Sequence, residues 1–256
     1  MGGTSIRQKI SGVLEDSDAR GFPAANYVIS AVTLVSVCAI ILESVSALEG
    51  YRKILLGVEY ASVAFFTAEY ILRIFSAERP IRYMVSFFGI IDLVSILPVY
   101  ILPIGANMFQ AKNHAVRMAR FLRILRLIKI VRHHSMRLHT KMHGRGRHIY
   151  LHLVTIEIYV LAVSTSILIL ASALYAFEGS QSGFANIPRS ILWIGETIFG
   201  GSISSNLPAT VGGRIIAIMT RFTGLILFGL LVAVMGRVVN RLLFGVEDLA
   251  DDERKG

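Results

Sequence analysis

Apolar runs of membrane-spanning length recur along this chain, separated by short polar segments. Tyr27 to Leu48 is the first, long enough at about 1.5 Å per residue to cross a roughly 30 Å hydrocarbon core, and Glu43 near its end is its only ionisable group. The second, Ile54 to Ala77, carries Glu59, Glu69 and Arg73, and the third, Met84 to Ile104, carries Asp92 and is interrupted by Pro98 and Pro103. Next comes Arg117 to Arg132, RMARFLRILRLIKIVR, where six cations (Arg117, Arg120, Arg123, Arg126, Lys129 and Arg132) fall at every third position among apolar residues. Ile149 to Phe177 is a further span. Phe184 to Phe199 is apolar but too short to cross; Asn186 is placed to cap it and Pro188 suits its first turn, so it reads as a re-entrant half-helix. Arg214 to Phe244 is the last span, with Gly224, Gly229 and Gly236 as flexible points.

Composition agrees with that pattern. Of 256 residues 54% are hydrophobic, and the mean hydropathy of +0.62 is too high for a soluble fold of this length. The predicted class is an all-α integral membrane protein. Residues 1 to 25 are polar and mixed in charge and show no secretory signal, so the first span is expected to act as its own insertion signal. Ile6, Ile10, Val13 and Leu14 within that segment fit either a short interfacial helix or a frayed terminus. The lone Cys38 excludes an intramolecular disulfide.

The net charge of +9 is concentrated in the ladder and just after it. Cations embedded in apolar sequence do not make a nucleic-acid surface. Residues 133 to 152 hold Arg137, Lys141, Arg145 and Arg147, which by the positive-inside rule places this loop, and with four spans before it the N-terminus, in the cytoplasm. Six of the seven histidines, His133, His134, His139, His143, His148 and His152, lie there too. Their spacings match no metal motif and no acidic or cysteine partner is near, so no metal or cofactor is expected. A basic amphipathic helix at the headgroups is the reading preferred over a pH sensor. No nucleophile, metal set or phosphate loop stands out, and an enzyme is not expected.

Charge at the centre of a membrane helix costs roughly 2.5–3.5 kcal/mol on the insertion scale, so the ladder needs partners. Charges three apart drift about 60° per step on an α-helix but line up at three residues per turn. Glu43, Glu59, Glu69 and Asp92 are the acids available. Glu59 and Glu69, ten residues apart, fall roughly on one face of their helix at two depths and would give a moving cation successive stations. The alternatives are a static ion-pair network or a basic helix on the membrane surface.

Three segments together, FFTAEYILRIF, SFFGIIDLVSILP and the ladder, resemble the voltage-sensor domain of six-helix voltage-gated channels. By that resemblance Phe66 is the aromatic plug of the charge-transfer centre, Glu69 and Asp92 its inner acids, Glu59 the outer acid and Arg73 the basic residue one turn after Glu69. From Phe184 the chain reads FANIPRSILWIGETIFGGSISSNLPATVGGRIIA, similar without a gap to the pore helix, filter and inner-helix start of voltage-gated potassium channels. The resemblance covers about 27 to 244. It implies a cytoplasmic N-terminal segment (1–25), a four-helix voltage-sensor domain (26–132), a basic linker (133–150), a two-helix pore domain with a re-entrant pore helix (151–244) and a short cytoplasmic tail (245–256). It also implies a multi-pass cell-membrane protein, a homotetramer around a central pore, with lipids and monovalent cations as partners and no nucleic acid.

The filter departs from the family. Where the family has T-V-G-Y-G, this chain has Gly200, Gly201, Ser202, Ile203 and Ser204, with serines at both family glycine positions. Glycine accepts the dihedrals that a carbonyl-lined filter demands, so this sequence points to a wider, weakly selective path or to a filter that is non-conducting at rest. Glu196, in the half-helix, resembles the buried glutamate behind the filter of a small proton-gated bacterial potassium channel. Arg221, where the family is uncharged, is expected to pair with Glu196 in the same or a neighbouring subunit, or else to reach a pore-side water cavity. The inner helix lacks the family's Pro-x-Pro bend, having Leu231, Val232 and Ala233 there, which leaves Gly224 as the hinge or a close-packing site. The expected function is a voltage-gated, potassium-channel-like cation channel. Its rivals are a non-conducting regulatory subunit and proton conduction through the sensor alone.

Overall fold

The computed structural model describes residues 22–77, 79–105, 112–130, 147–201 and 206–244. Helices α1 (Phe22–Glu43) and α2 (Arg52–Ser76) are joined through a 3₁₀ turn, Ser46–Tyr51. Then follow the short α3 (Pro80–Met84), α4 (Phe87–Gly105), α5 (Lys112–Ile124), α6 (Arg147–Glu178), the half-helix α7 (Ile187–Ile198) and α8 (Val211–Phe244). A turn at 125–126 separates α5 from a helical continuation at 127–130. Among the described residues there is no strand, and the fold is all-α. The terminal segments 1–21 and 245–256, the last ladder cation Arg132, the connector histidines His133, His134, His139 and His143, and filter residues Ser202, Ile203 and Ser204 lie outside the described residues.

Four stretches, Ala24–Glu43, Ser46–Ser76, Ile156–Glu178 and Val211–Gly236, are long and apolar enough to cross a membrane, and Phe87–Ile101 is apolar but shorter. This is a multi-pass membrane protein. Two expectations about the third run need correction. It does not begin at Met84, because α3 is a separate turn started by Pro80, and Ser86 hydrogen-bonds the Gly89 amide at the head of α4. Nor do Pro98 and Pro103 interrupt it, since α4 runs through both to Gly105. Membrane helices tolerate proline where a neighbour supplies the missing donors. Pro98 leaves the Val94 carbonyl without its helical donor, and one residue on, the Ser95 carbonyl accepts from Arg126 Nη2 at 3.1 Å.

Helices α1, α2, α4 and α5 pack into one bundle, and α6, α7 and α8 into a second, with α5 lying also against α6. The first core is built around Phe66, with Ile29, Val63, Tyr70 and Ile96. The second centres on Phe184, Trp193, Ile194 and Leu174; the Phe184 and Trp193 rings meet edge to face with centroids 5.7 Å apart. A third cluster joins the two bundles and takes Val37 and Ile40 from α1, Ile124 and Leu127 from the ladder, and Tyr175 and Ile187 from the pore half. At the same seam the Ile187 amide donates to the Ser44 hydroxyl at 3.0 Å. Asn186 caps α7 by accepting from the Arg189 amide at 2.9 Å, and Pro188 occupies its first turn.

Gly224 has a packing reason. A Cβ there would come within 2.7 Å of the Ile198 carbonyl oxygen at the end of α7, whereas Gly229 and Gly236 have nothing within 4 Å. Overpacking of this kind costs roughly 1–3 kcal/mol. Gly224→Ala is therefore expected to lower the thermal unfolding midpoint of the detergent-solubilised protein, while Gly229→Ala leaves it unchanged or raised. Equal midpoints for Gly224→Ala and the unaltered chain would contradict the packing role.

Candidate voltage-sensing and pore site

The ladder adopts the geometry that brings its cations onto one face. Between Arg123 and Lys129 the backbone makes i to i+3 bonds: Arg126 to Arg123 at 3.2 Å, Ile128 to Leu125 at 3.0 Å and Lys129 to Arg126 at 3.0 Å. Three residues per turn stack side chains spaced by three directly above one another. Arg117, Arg123, Arg126 and Lys129 are all buried, Arg126 completely. Burying charge is tolerable only with partners, and the neighbouring helices supply them in register.

Arg117 Nη2 donates to Ser180 Oγ at 3.0 Å. Arg120 donates to Glu43 Oε1 at 3.1 Å and to the Tyr175 hydroxyl at 2.9 Å. Arg123 pairs with Glu59. Arg126 reaches no carboxylate; its donors go to the Ser36 hydroxyl and the Ser95 carbonyl, and its guanidinium carbon lies 4.9 Å from the Phe66 ring centroid. Lys129 Nζ lies 4.5 Å from the same centroid and 3.1 Å from both Glu69 Oε2 and Asp92 Oδ1. Phe66 is fully buried and touches two successive rungs, so its ring face offers each cation a weak attraction without a fixed charge. Arg73 Nε holds the other Glu69 oxygen at 2.8 Å, and the Tyr83 hydroxyl donates to Asp92 Oδ2 at 2.8 Å. Glu43, Glu59, Phe66, Glu69, Arg73 and Asp92 are thus brought together along the described ladder.

In the pore half, α7 ends at Ile198 and the chain turns back on it, the Gly201 amide donating to the Glu196 carbonyl at 2.7 Å. Gly200 has φ +77°, a left-handed conformation in which glycine carries no side-chain penalty. A cavity of about 620 Å3 opens beside this turn, lined by Glu196, Gly200, Gly201, Arg221 and Gly224 among others. Arg221 and Glu196 both line this one cavity.

Sequence reasoning missed the residue that ties the pore helices together. Glu178, buried at the end of α6, accepts from the Thr210 amide at 2.7 Å, from the Thr210 hydroxyl at 2.6 Å and from Gln181 Nε2. A Cβ on Gly213 would overlap its carboxylate, and one on Gly212 would overlap the Phe177 ring, so the double glycine at the head of α8 gives the end of α6 its room. The signal was present as one acid closing a long apolar run. The partners Ser36, Tyr83, Tyr175 and Ser180 gave no such signal, because isolated hydroxyls in apolar helices most often bond back to their own backbone.

A four-helix charged bundle beside two helices and a half-helix is the architecture of a voltage-sensor domain joined to a pore domain, the layout of the voltage-gated cation channel superfamily. The profile of the ion transport protein family matches residues 22–242, and the chain belongs to that family. It is similar to the voltage-gated potassium channel regulatory subunit KCNF1 of Homo sapiens, 29% identical over 182 residues covering 68% of this chain and 36% of the relative. It is also similar to potassium voltage-gated channel subfamily V member 1 of Mesocricetus auratus, 27% identical over 245 residues covering 90% of this chain and 47% of the relative. RPA4233, a Rhodopseudomonas palustris protein named provisionally as a potassium channel, is 30% identical over 227 residues covering 82% of this chain and 52% of the relative. The chain spans about half the length, or less, of these curated relatives.

Removing one member of a buried ion-pair set costs roughly 3–5 kcal/mol because the remaining charges lose their partner. Glu69→Gln strips both Arg73 and Lys129 and is expected to lower the unfolding midpoint sharply, while Glu49→Gln, in the exposed pair with Arg52, leaves it unchanged. Glu178→Gln is expected to cost about 1–3 kcal/mol through its lost acceptors. Each is read by thermal unfolding in the same detergent, and wild-type behaviour of Glu69→Gln would show that the network is not structural.

Proposed function

We propose that the chain is a subunit of a voltage-gated, potassium-channel-like cation channel. It assembles as a homotetramer in the cell membrane, with both ends in the cytoplasm. The carrying observation is the ladder: from Arg120 to Lys129 each cation has its own polar or acidic station, and the stations are spaced as the cations are. A one-rung displacement exchanges each cation's partner for its neighbour's, so movement does not strand a charge in hydrocarbon.

In this reading depolarisation drives Arg117, Arg120, Arg123, Arg126, Lys129 and Arg132 outward past Phe66. Each charge crossing the full field gains about 2.3 kcal/mol per 100 mV. Three charges per chain then supply ~7 kcal/mol per 100 mV, enough to shift a two-state equilibrium by about 10⁵-fold. Movement is passed through the basic linker to α6 and α8, which carry the gate. One half-helix per chain cannot enclose a path, which supports a tetramer of these subunits. The wide exposed apolar face of α8, including Ile218, Phe222, Leu225 and Phe228, gives each copy surface to cover.

A second reading, a non-conducting regulatory subunit, is favoured by one observation: Gly200, Gly201, Ser202, Ile203 and Ser204 replace the family's filter sequence. One relative carries the name of a regulatory subunit. Purified tetramers in planar bilayers separate the two, since regulatory subunits would show gating charge with no flux. Reversal potentials under asymmetric potassium, sodium and chloride identify the ion. Neutralising Arg120, Arg123 and Arg126 together with glutamine is expected to flatten the voltage dependence of conductance or gating charge. An unchanged slope would remove the ladder from voltage sensing.

A further inference from the structure

We propose that Asn26 and Tyr70 form a further station of the ladder, inward of Phe66, which receives the Lys129 ammonium when the ladder moves one rung toward the Ser76 end of α2. Asn26 is 1% exposed and Tyr70 7%. Both polar atoms of the Asn26 side chain and the Tyr70 hydroxyl are buried with no hydrogen-bond partner among the described residues. A buried polar group left this way is costly, and the small polar side chains nearby avoid that cost. Thr33, Ser62 and Thr67 each donate to a carbonyl one turn earlier at 2.7 Å, and Ser36 accepts from Arg126.

Both residues sit where the next rung arrives. Helices α1 and α2 pack together, and Ile29 of α1 shares one cluster with Phe66 and Tyr70 of α2. Asn26 lies one helical step from Ile29 toward Phe22, about 4.5 Å, and Tyr70 one turn from Phe66 toward Ser76, about 6 Å. Asn26 and Ser36 are nearly three turns apart and so fall on one face of α1. Ser36 holds Arg126, and successive rungs at three residues per turn are about 6 Å apart. Asn26, about 15 Å inward of Ser36, therefore lies beyond Lys129 by roughly one to two rungs.

The chemistry follows from what the step leaves behind. Moving inward by one rung gives Glu69 and Asp92 to Arg126 and takes Lys129 off both. On the described parts of α1, α2 and α4 no acid lies farther inward, and Arg73 at that level is a cation already held by Glu69. The ammonium then needs neutral acceptors. The Asn26 carboxamide oxygen and the Tyr70 phenol oxygen are two, and neither gives up an existing bond to receive it. They favour the inward ladder and add nothing to the outward one, so they bias the balance between the two. Resting on the voltage-sensing reading, the pair is a latch that holds the ladder inward.

The test records gating charge against voltage for the full chain in planar bilayers. Asn26→Leu, close in size and apolar, and Tyr70→Phe each remove an acceptor that only the inward ladder uses. The outward-to-inward ratio at a fixed voltage is expected to rise about tenfold in Asn26→Leu and roughly threefold in Tyr70→Phe. Both midpoints then move to more negative potentials, and that of Asn26→Asp moves the other way. An unmoved midpoint in Asn26→Leu, or a positive shift, overturns the station. In a Lys129→Met background the Asn26→Leu shift is expected to vanish; the same shift there overturns Lys129 as the occupant. Thermal unfolding in detergent separates a latch from packing. Asn26→Leu is expected to leave the unfolding midpoint unchanged or raised, and a lowered midpoint would overturn the proposal by showing that Asn26 supports the bundle as it stands. Absence of gating charge in the unaltered chain would remove the voltage-sensing reading and the station with it, a different result from gating charge that is present and indifferent to Asn26.

Discussion

A cation in hydrocarbon is held only where a counter-charge or a cluster of dipoles has been positioned for it, and the first half of this fold is arranged by that constraint. Lys129 between Glu69 and Asp92 is its clearest case, since one ammonium fixes the spacing of α2 and α4 at once. Arg73 then neutralises the remaining Glu69 oxygen and Tyr83 caps Asp92, so that the cluster contains two cations, two anions and a hydroxyl with little charge left over. Such a network is weak evidence for stability, because desolvation consumes most of the Coulombic gain. What it provides is register. A slip of the ladder by one residue would aim apolar side chains at the acids and leave the five described cations without their partners, whereas a slip by three brings the next cation to each station.

Arg126 differs from its neighbouring rungs in the kind of partner it meets. It is fully buried and among the described residues meets no carboxylate, its partners being a hydroxyl, a carbonyl and the Phe66 ring. Partners of this kind hold a guanidinium without trapping it. The stations on either side, Glu59 with Arg123 and Glu69 with Lys129, are full charges. In the voltage-sensing reading proposed above, such an alternation of charged and dipolar stations lets a cation pass between two acids without being trapped midway. Arg120 adds a further feature by bonding Glu43 in the first bundle and Tyr175 in the second. Together with the Ser44 contact to the Ile187 amide, it joins the ladder to the pore half directly, in addition to any pull along the connector.

The spacing of the ladder and the four acids made the charged half legible from residues alone, because charge in an apolar run has few solutions. The half-helix was legible for a similar reason: Asn186 and Pro188 are start signals whose geometry is local. What escaped was non-local or conditional. Pro98 and Pro103 read as breaks because proline breaks helices in water, yet here α4 continues through both. Glu178 and Thr210 are 32 positions apart and meet only after α6, α7 and α8 have assembled.

The two halves of the pore obey different constraints, and this bears on the unusual filter. Its frame is closely fitted. Trp193 Nε1 donates to the Asn206 carbonyl at 2.8 Å, Glu178 clamps Thr210, and Gly213 leaves no room for a side chain beside that clamp. These contacts lie on either side of the filter segment 200–204. A frame fixed independently of its contents lets the filter sequence change without loss of the fold. Serine at both family glycine positions therefore alters the filter's chemistry without altering the residues that form this frame.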